Sequence, residues 1–256
     1  MANNDFAGKV LVVTGASSGI GRATAIMAAE RGAKVTLVAR RERELKATAS
    51  ALRADQVEPI AADLTAEEER IRVIDGTVKR FGGIDVLVNA AGIIGSGTIE
   101  TTTLVNWDLM FDINLRSLFR LTQLALPSII ARKGNIVNVS SVTGIRAFPG
   151  VLAYCVSKAG VDQFTRCTAL ELAGKGVRVN AVDPGVVLTN LHRASGMDDE
   201  AYKKFLEHST STHPIGRVGK PEEVAELILF LASERAGWIT GGSFSIDGGR
   251  AQTCAR

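Results

Sequence analysis

Residues Val10–Ala23 read VLVVTGASSGIGRA. The run VLVVT is apolar or β-branched at every position and shows no polar alternation. A strand covered on both faces reads this way, and parallel sheets are covered on both faces. A turn with glycines at 15, 19 and 21 follows, and then GIGRATAIMAAERG, whose apolar residues recur at three-to-four spacing as on a helix. A strand that turns directly into a helix aims the unpaired N–H groups of the first helical turn at the space above the sheet, where a phosphate can be held. The spacing G-x-x-x-G-x-G differs from the commonest dinucleotide fingerprint, G-x-G-x-x-G. Taken alone, it fits a tight strand-to-helix connection equally well. Ser17 and Ser18 add hydroxyls for phosphate oxygens, or serve only as turn formers.

The same strand–helix rhythm continues outward. Further β-rich runs occur at KVTLVAR near Val35, VEPIAAD near Ile60, IDVLVNA near Val86, NIVNVSS near Val137, VRVNAVD near Val179 and SFSID near Phe244. Helix-like segments separate them. In PEEVAELILFLASE, Pro221 and two glutamates mark a first helical turn. Strands alternating with helices predict βαβ units wound into a doubly wound, Rossmann-like sheet of about seven mostly parallel strands with helices on both faces. No linker, repeat or low-complexity segment interrupts the pattern, so residues 1–256 read as a single α/β domain. One stretch breaks the rhythm. Residues 188–216 are more polar and hold all three histidines, which predicts a lid over a site.

Composition narrows the function classes. The chain has 256 residues, is 46% hydrophobic and 22% charged, and carries a formal charge of only +3. Its basic residues are dispersed, which points away from nucleic acid and membrane surfaces as partners. The three cysteines, at 155, 167 and 254, lack a CxxC pair and read as reduced thiols. The beginning MANNDFAGK has no basic segment followed by an apolar run, and LILFLA, an apolar run at 227–232, is far too short to span a bilayer. The expectation is a cytoplasmic protein. The histidines show no metal-ligand spacing, and no metal is expected.

The second strand bears on the cofactor. Enzymes that hold NAD keep a carboxylate at that strand's end for the ribose hydroxyls, whereas an arginine suits a 2′-phosphate. Here Ala39 stands where the carboxylate would be, and Arg40 and Arg41 follow. Either these are a solvated helix start, or they bind phosphate through charge-assisted bonds. Together with the glycine turn they favour NADP(H), with NAD(H) as the alternative.

The segment AYCVSKAG, 153–160, places Tyr154 and Lys158 at i and i+4, on one helix face. A tyrosine of pKa about 10 is a poor acid or base near neutrality. A neighbouring ammonium, with the positive nicotinamide of an oxidised cofactor, favours the phenolate and is expected to lower that value. TGASSGIG, NAAG at 89–92, a serine thirteen residues before YCVSK, and DPG at 183–185 occur in one order along nearly the whole chain. In these features the sequence resembles the short-chain dehydrogenase/reductase family. The resemblance implies that Tyr154 is a general acid/base, that Lys158 bonds the nicotinamide ribose, that Ser141 rather than Ser140 bonds the substrate oxygen, and that Asn114 holds a water linked to Lys158. It also implies a cofactor cradle of Gly15, Ser17, Ser18, Gly19, Ile20, Gly21, Arg40 and Arg41. Asp63 and Leu64 would border the adenine, with Asn89, Ala90 and Gly92 beside the cofactor. Pro184, Gly185, Val187 and Thr189 would shape the nicotinamide pocket. At Asp183 the family more often has Asn, Ala or Ser; whether this carboxylate is paired or exposed stays open.

The substrate expected from these readings is a small-molecule carbonyl compound or secondary alcohol: a ketone, a 3-oxoacyl thioester, a steroid or a sugar derivative. Ile93, Ile94, Val142, Ile145, Val151, Val186, Leu191 and Met197 are expected to face it. Ketone reduction is favoured through the choice of NADP(H). Lys133 and Lys175 lie in basic loops that read first as solvated charges ahead of strands, with contact to an acyl-carrier protein as the alternative. The rival of a different class is a module that senses NADP(H) without turnover, which would not need Ser141, Tyr154 and Lys158 together. By resemblance the protein is a homotetramer or homodimer, pairing through residues 103–130 and 153–173.

Overall fold

The computed structural model describes residues 4–253; Cys254 lies outside them. The first half of the chain alternates β1 (Val10–Thr14), α1 (Gly19–Glu30), β2 (Lys34–Ala39), α2 (Glu42–Ala49), β3 (Val57–Ala61), α3 (Glu67–Phe81) and β4 (Val86–Asn89). Then come α4 (Leu104–Phe111), α5 (Ser117–Ala131), β5 (Asn135–Val139), α6 (Val142–Ile145), α7 (Leu152–Ala173) and β6 (Arg178–Pro184). The chain closes with α8 (Leu191–Ala194), α9 (Asp199–Thr212), α10 (Pro221–Ala232) and β7 (Ser243–Ile246). The seven strands lie in the order β3-β2-β1-β4-β5-β6-β7, and every neighbouring pair is parallel. All seven expected runs are strands of this sheet.

Both faces of the sheet are covered, which is why its strands lack alternation. Leu11 and Val13 of β1 pack with Ala25 and Ala28 of α1 and with Ile228 and Leu229 of α10. Val12, between them in sequence, points to the other face, against Ile74 of α3, Ile129 of α5 and Leu172 of α7. Each such aliphatic side chain removed from water contributes about 1.5–3 kcal/mol. At the start of α10 the Lys220 N–H donates to Glu223, 2.8 Å away, and Pro221 occupies the first turn as its sequence indicates.

The chain order reverses direction at β1, whose neighbours are β2 on one side and β4 on the other. In open α/β sheets ligands bind beyond the carboxyl ends of the strands at this switch point. Side chains pin β1 to β4 at both ends. The Asp85 carboxylate accepts the Val10 N–H at 2.8 Å and pairs with Arg132 at 3.1 Å. At the carboxyl end, the Thr14 hydroxyl accepts the N–H groups of both Ala90 and Ala91 at 2.9 Å.

One local feature departs from the sequence reading. FDINLRSLF reads as a mostly apolar α-helix, but Asp112–Arg116 is a π-helical turn between α4 and α5. It carries Asn114, which is 1% exposed. The Asn114 amide accepts the Ile93 N–H at 2.9 Å and donates to the Ile93 carbonyl at 3.0 Å. The amide thereby clamps the Ile93 loop to the π-turn from both sides, and such turns are frequent at functional sites.

Candidate active site

A cavity of about 780 Å³ lies over the carboxyl ends of the central strands. Its two ends differ in character. One is formed by the glycine turn, the end of β2 and the residues after β3. The other is formed by the residues after β5, the start of α7, the loop after β6 and the α8–α9 segment.

At the first end, the glycines are required by close backbone approach. Gly15 has φ +69°, and a Cβ on it would sit 2.8 Å from the Ala90 carbonyl oxygen. A Cβ on Gly21 would sit 2.6 Å from the Gly15 carbonyl oxygen. Only glycine lets α1 begin so close to β1, and this leaves the helix N-terminus facing the cavity. Ser18, which precedes α1, makes no capping bond with its hydroxyl. Arg41 donates to that hydroxyl at 3.0 Å and to the Ser17 hydroxyl at 3.4 Å. Arg40 is on the same wall. Asp63 is held below the usual carboxylate range by the hydrogen bond from the Thr65 N–H, with Thr65 Oγ1 and Arg40 adding to it. No carboxylate stands at Ala39, so this end presents two guanidiniums and three hydroxyls beside one carboxylate. That donor set fits a phosphorylated ribose.

At the second end, Tyr154 and Lys158 project from one face of α7 and are 7% and 5% exposed. The Lys158 ammonium lies 5.7 Å from the Tyr154 ring centroid and donates to the Val139 carbonyl at 2.8 Å. The two serines after β5 part ways. The Ser140 hydroxyl turns inward and donates to the Lys158 carbonyl at 3.0 Å, whereas Ser141 interacts with the phenol. In the chain by itself the phenol pKa is raised, not lowered. Burial pushes Tyr154 up to about 12, and the Ser141 hydrogen bond offsets only part of the rise. Burial also lowers Lys158 to about 8, opposed by Asp162 and Asp183. Desolvation is the largest cause for both groups. In this state the phenol is protonated, as a proton donor must be. Asp183 is fully buried rather than exposed.

Every residue anticipated for catalysis or cofactor binding lines the cavity except Asn89 and Asn114. Asn89 is turned into the sheet and donates to Asn138 at 2.9 Å and Thr122 at 3.3 Å. Asn114 sits behind the wall and also donates to Ser157 at 3.0 Å, from the turn of α7 that carries Lys158. Ile145 and Met197, expected to face the substrate, are not on the wall. Phe148, Phe205 and Arg250 are on it and escaped the sequence reading. They lie far apart in the chain, and no local pattern marks them; Arg250 stacks over the Phe148 ring at 5.0 Å.

Residues 188–216 form α8, α9 and their flanking loops, which cover part of the cavity. The Tyr202 hydroxyl donates to the Thr189 carbonyl at 2.9 Å. His213 is 2% exposed and not a surface residue. Its Nε2 accepts the Val186 N–H at 3.1 Å and its Nδ1 lies 2.6 Å from the Ser209 carbonyl. This pattern needs a neutral ring protonated on Nδ1, and burial lowers the ring's pKa accordingly. His192 lines the cavity against Phe205, while His208 is exposed.

Residues 15–251 match a family model described as enoyl-(acyl carrier protein) reductase. The chain is 41% identical over 245 residues to 3-oxoacyl-(acyl-carrier-protein) reductase FabG of Thermotoga maritima, covering 94% of this chain and 97% of that protein. It is 34% identical to 2-(S)-hydroxypropyl-CoM dehydrogenase 3 of Xanthobacter autotrophicus, covering 96% of this chain and 98% of that one. Among solved structures, a short-chain dehydrogenase/reductase of unknown function from Caenorhabditis elegans, crystallised with cofactor, superposes with a TM-score of 0.93 at 40% identity, covering 98% of both chains. The glycine turn, the YCVSK helix and these similarities over nearly full length agree, and the chain belongs to the short-chain dehydrogenase/reductase family of oxidoreductases.

Proposed function

We propose that the protein is an NADP(H)-dependent reductase of ketones or 3-oxoacyl thioesters. The observation that carries this reading is the arrangement of one cavity, with Arg40 and Arg41 at one end and Ser141, Tyr154 and Lys158 gathered at the other. A reduced nicotinamide dinucleotide phosphate bound along it would supply a hydride to the substrate's carbonyl carbon. The amides from Gly15 to Gly21 and the N-terminus of α1 hold the diphosphate, with Ser17 and Ser18 beside it. Arg40 and Arg41 take the 2′-phosphate. Asp63 and Leu64 border the adenine, while Ala90 and Gly92 flank the ribose. Pro184, Gly185, Val187 and Thr189 seat the nicotinamide.

Ser141 bonds the carbonyl oxygen, and Tyr154 gives that oxygen its proton as the hydride arrives. Lys158 bonds the ribose, and its charge offsets the phenolate left behind. Asn89 and Asn114 act from behind the wall. Asn89 ties β4 to β5, and Asn114 fixes the Ile93 loop against α7. Residues 188–216 act as a substrate lid within the single domain. The exposed apolar residues Leu104, Val105, Leu109, Phe119, Val156 and Leu170 on α4, α5 and α7 support assembly as a homodimer or homotetramer. Among the described residues no helix is long and apolar enough to cross a membrane.

The test is consumption of NADPH against a panel of ketones and 3-oxoacyl thioesters, with Tyr154→Phe as the control. Turnover by the wild type and its loss in the variant are expected. Tight NADPH binding with no turnover by either protein would favour the sensing module instead.

A further inference from the structure

The proposed chemistry leaves one pair of buried acids unused. Asp85 and Asp247 are buried too, but each accepts backbone N–H bonds. Asp162 on α7 and Asp183 on β6 are 1% and 0% exposed, and none of their four carboxyl oxygens accepts a hydrogen bond in the described structure. The two side chains face one another. The Ser140 hydroxyl lies against both, but its single proton is directed at the Lys158 carbonyl. One hydroxyl proton serves only one of three acceptors. Gly144 closes the space above: a Cβ there would sit 2.3 Å from Asp162 Oδ2 and 3.0 Å from Ser140 Oγ. Two buried carboxylates in contact and starved of donors are stable only if one keeps a proton for the other.

Lys158 precedes Asp162 by four residues, on the same face of α7. The charged groups acting on the pair are Lys158 and the more remote Arg166, both from α7. The strands β5 and β7 and the helix α6, which pack around it, carry no charged side chain.

We propose that Asp162 and Asp183 share one proton and act as a positioning pair for Lys158. As a monoanion the pair holds the ammonium charged against the Val139 carbonyl. As a dianion at higher pH it holds the ammonium more strongly, so that Lys158 stays charged beside Tyr154 further into the alkaline range. Burial and mutual repulsion raise Asp183 to about 8, in keeping with a retained proton. Asparagine at 183 is the shape of a protonated aspartic acid and limits the pair to one negative charge however high the pH.

The role toward Lys158 rests on the oxidoreductase reading; the shared proton does not. Accordingly the test has two arms on the full-length protein. In the first, melting temperatures of wild type, Asp183→Asn and Asp162→Asn are compared without cofactor from about pH 5 to about pH 9. A carboxyl whose folded pKa is raised contributes stability that is full below its unfolded value and lost as pH rises through the folded one. Each variant should therefore gain on the wild type as pH rises. A difference that is constant with pH in both variants overturns the shared proton. In the second arm, NADPH affinity is followed against pH by nucleotide fluorescence. In Asp183→Asn the alkaline loss of affinity should begin about half a unit or more lower than in the wild type. Coincident curves overturn the role toward Lys158, whereas a wild type that binds no NADPH defeats the oxidoreductase reading and leaves the first arm standing.

Discussion

Substitution of Arg41 by alanine is expected to weaken NADPH and spare NADH. The guanidinium reaches the Ser18 hydroxyl at 3.0 Å and the Ser17 hydroxyl at 3.4 Å, so it stands at the rim of the glycine turn and is anchored on neutral groups. A ribose 2′-phosphate would add close to two negative charges there. A hydrogen bond to a charged group is worth about 1.5–3 kcal/mol, and the exposure of Arg41 reduces this to about 1–2 kcal/mol. At about 1.4 kcal/mol per tenfold, the dissociation constant for NADPH should rise about 5- to 30-fold. The NADH constant should move less than about twofold, because its ribose offers no anion. Exposed pairs are screened over a Debye length of about 8 Å at physiological ionic strength, so the preference should shrink as salt is added. Nucleotide fluorescence titrations of both proteins with both dinucleotides, at low and high salt, measure this directly. Equal weakening of NADPH and NADH, or of neither, would refute the assignment of Arg41 to the 2′-phosphate.

Other perturbations address the rest of the framework. Tyr154→Phe keeps the ring and removes the proton donor, so kcat for carbonyl reduction should fall about 10²- to 10⁴-fold while NADPH affinity holds; a variant that keeps its rate would show that the proton comes from elsewhere. Thr14→Val leaves the Ala90 and Ala91 N–H groups unpaired at about 1–3 kcal/mol each, which at about 2–4 °C per kcal/mol lowers Tm by about 4–24 °C in a chain of this size; an unchanged Tm would mean that the clamp carries no load. His213 has a lowered pKa in the folded chain, so its contribution is present above the ordinary histidine value and is lost as pH falls below it. Proteolysis within residues 188–216 should accelerate in mild acid, and His213→Gln, whose amide oxygen can accept the Val186 N–H, should blunt that response. Acid-independent cleavage of the wild type would remove His213 as the latch.

The fold was legible because its strands are buried on both faces. VLVVT, IDVLVNA and NIVNVSS advertise their positions through unbroken apolar runs, and the glycine turn marks the switch point. The shared helix face of Tyr154 and Lys158 was legible from their spacing, the two arginines from their place after β2, and Ser141 through the family resemblance; all five line the cavity. The phenol's ionisation was not legible, since its sign depends on how far α7 buries it. The directions in which Asn89 and Asn114 point were not legible either: only the packing shows both amides turned behind the wall. Phe148, Phe205 and Arg250 reach the cavity through tertiary folding alone. Asp183 was noticed as a departure, while its partner Asp162 looks like any helix-surface acid until β6 is laid beside α7.

The placement of β1 between β2 and β4 has a consequence for how the chain comes together. The strand leaves the ribosome before its second neighbour and the carboxylate that receives its first amide, which come from residues 85–89. Until then VLVV has one bare edge, and no local hairpin can shield it in an all-parallel sheet. Pairing across such separations is slow because a long loop must close first. Nascent chains stalled before residue 85 should therefore be the aggregation-prone ones, and those extended past β4 the first to resist it.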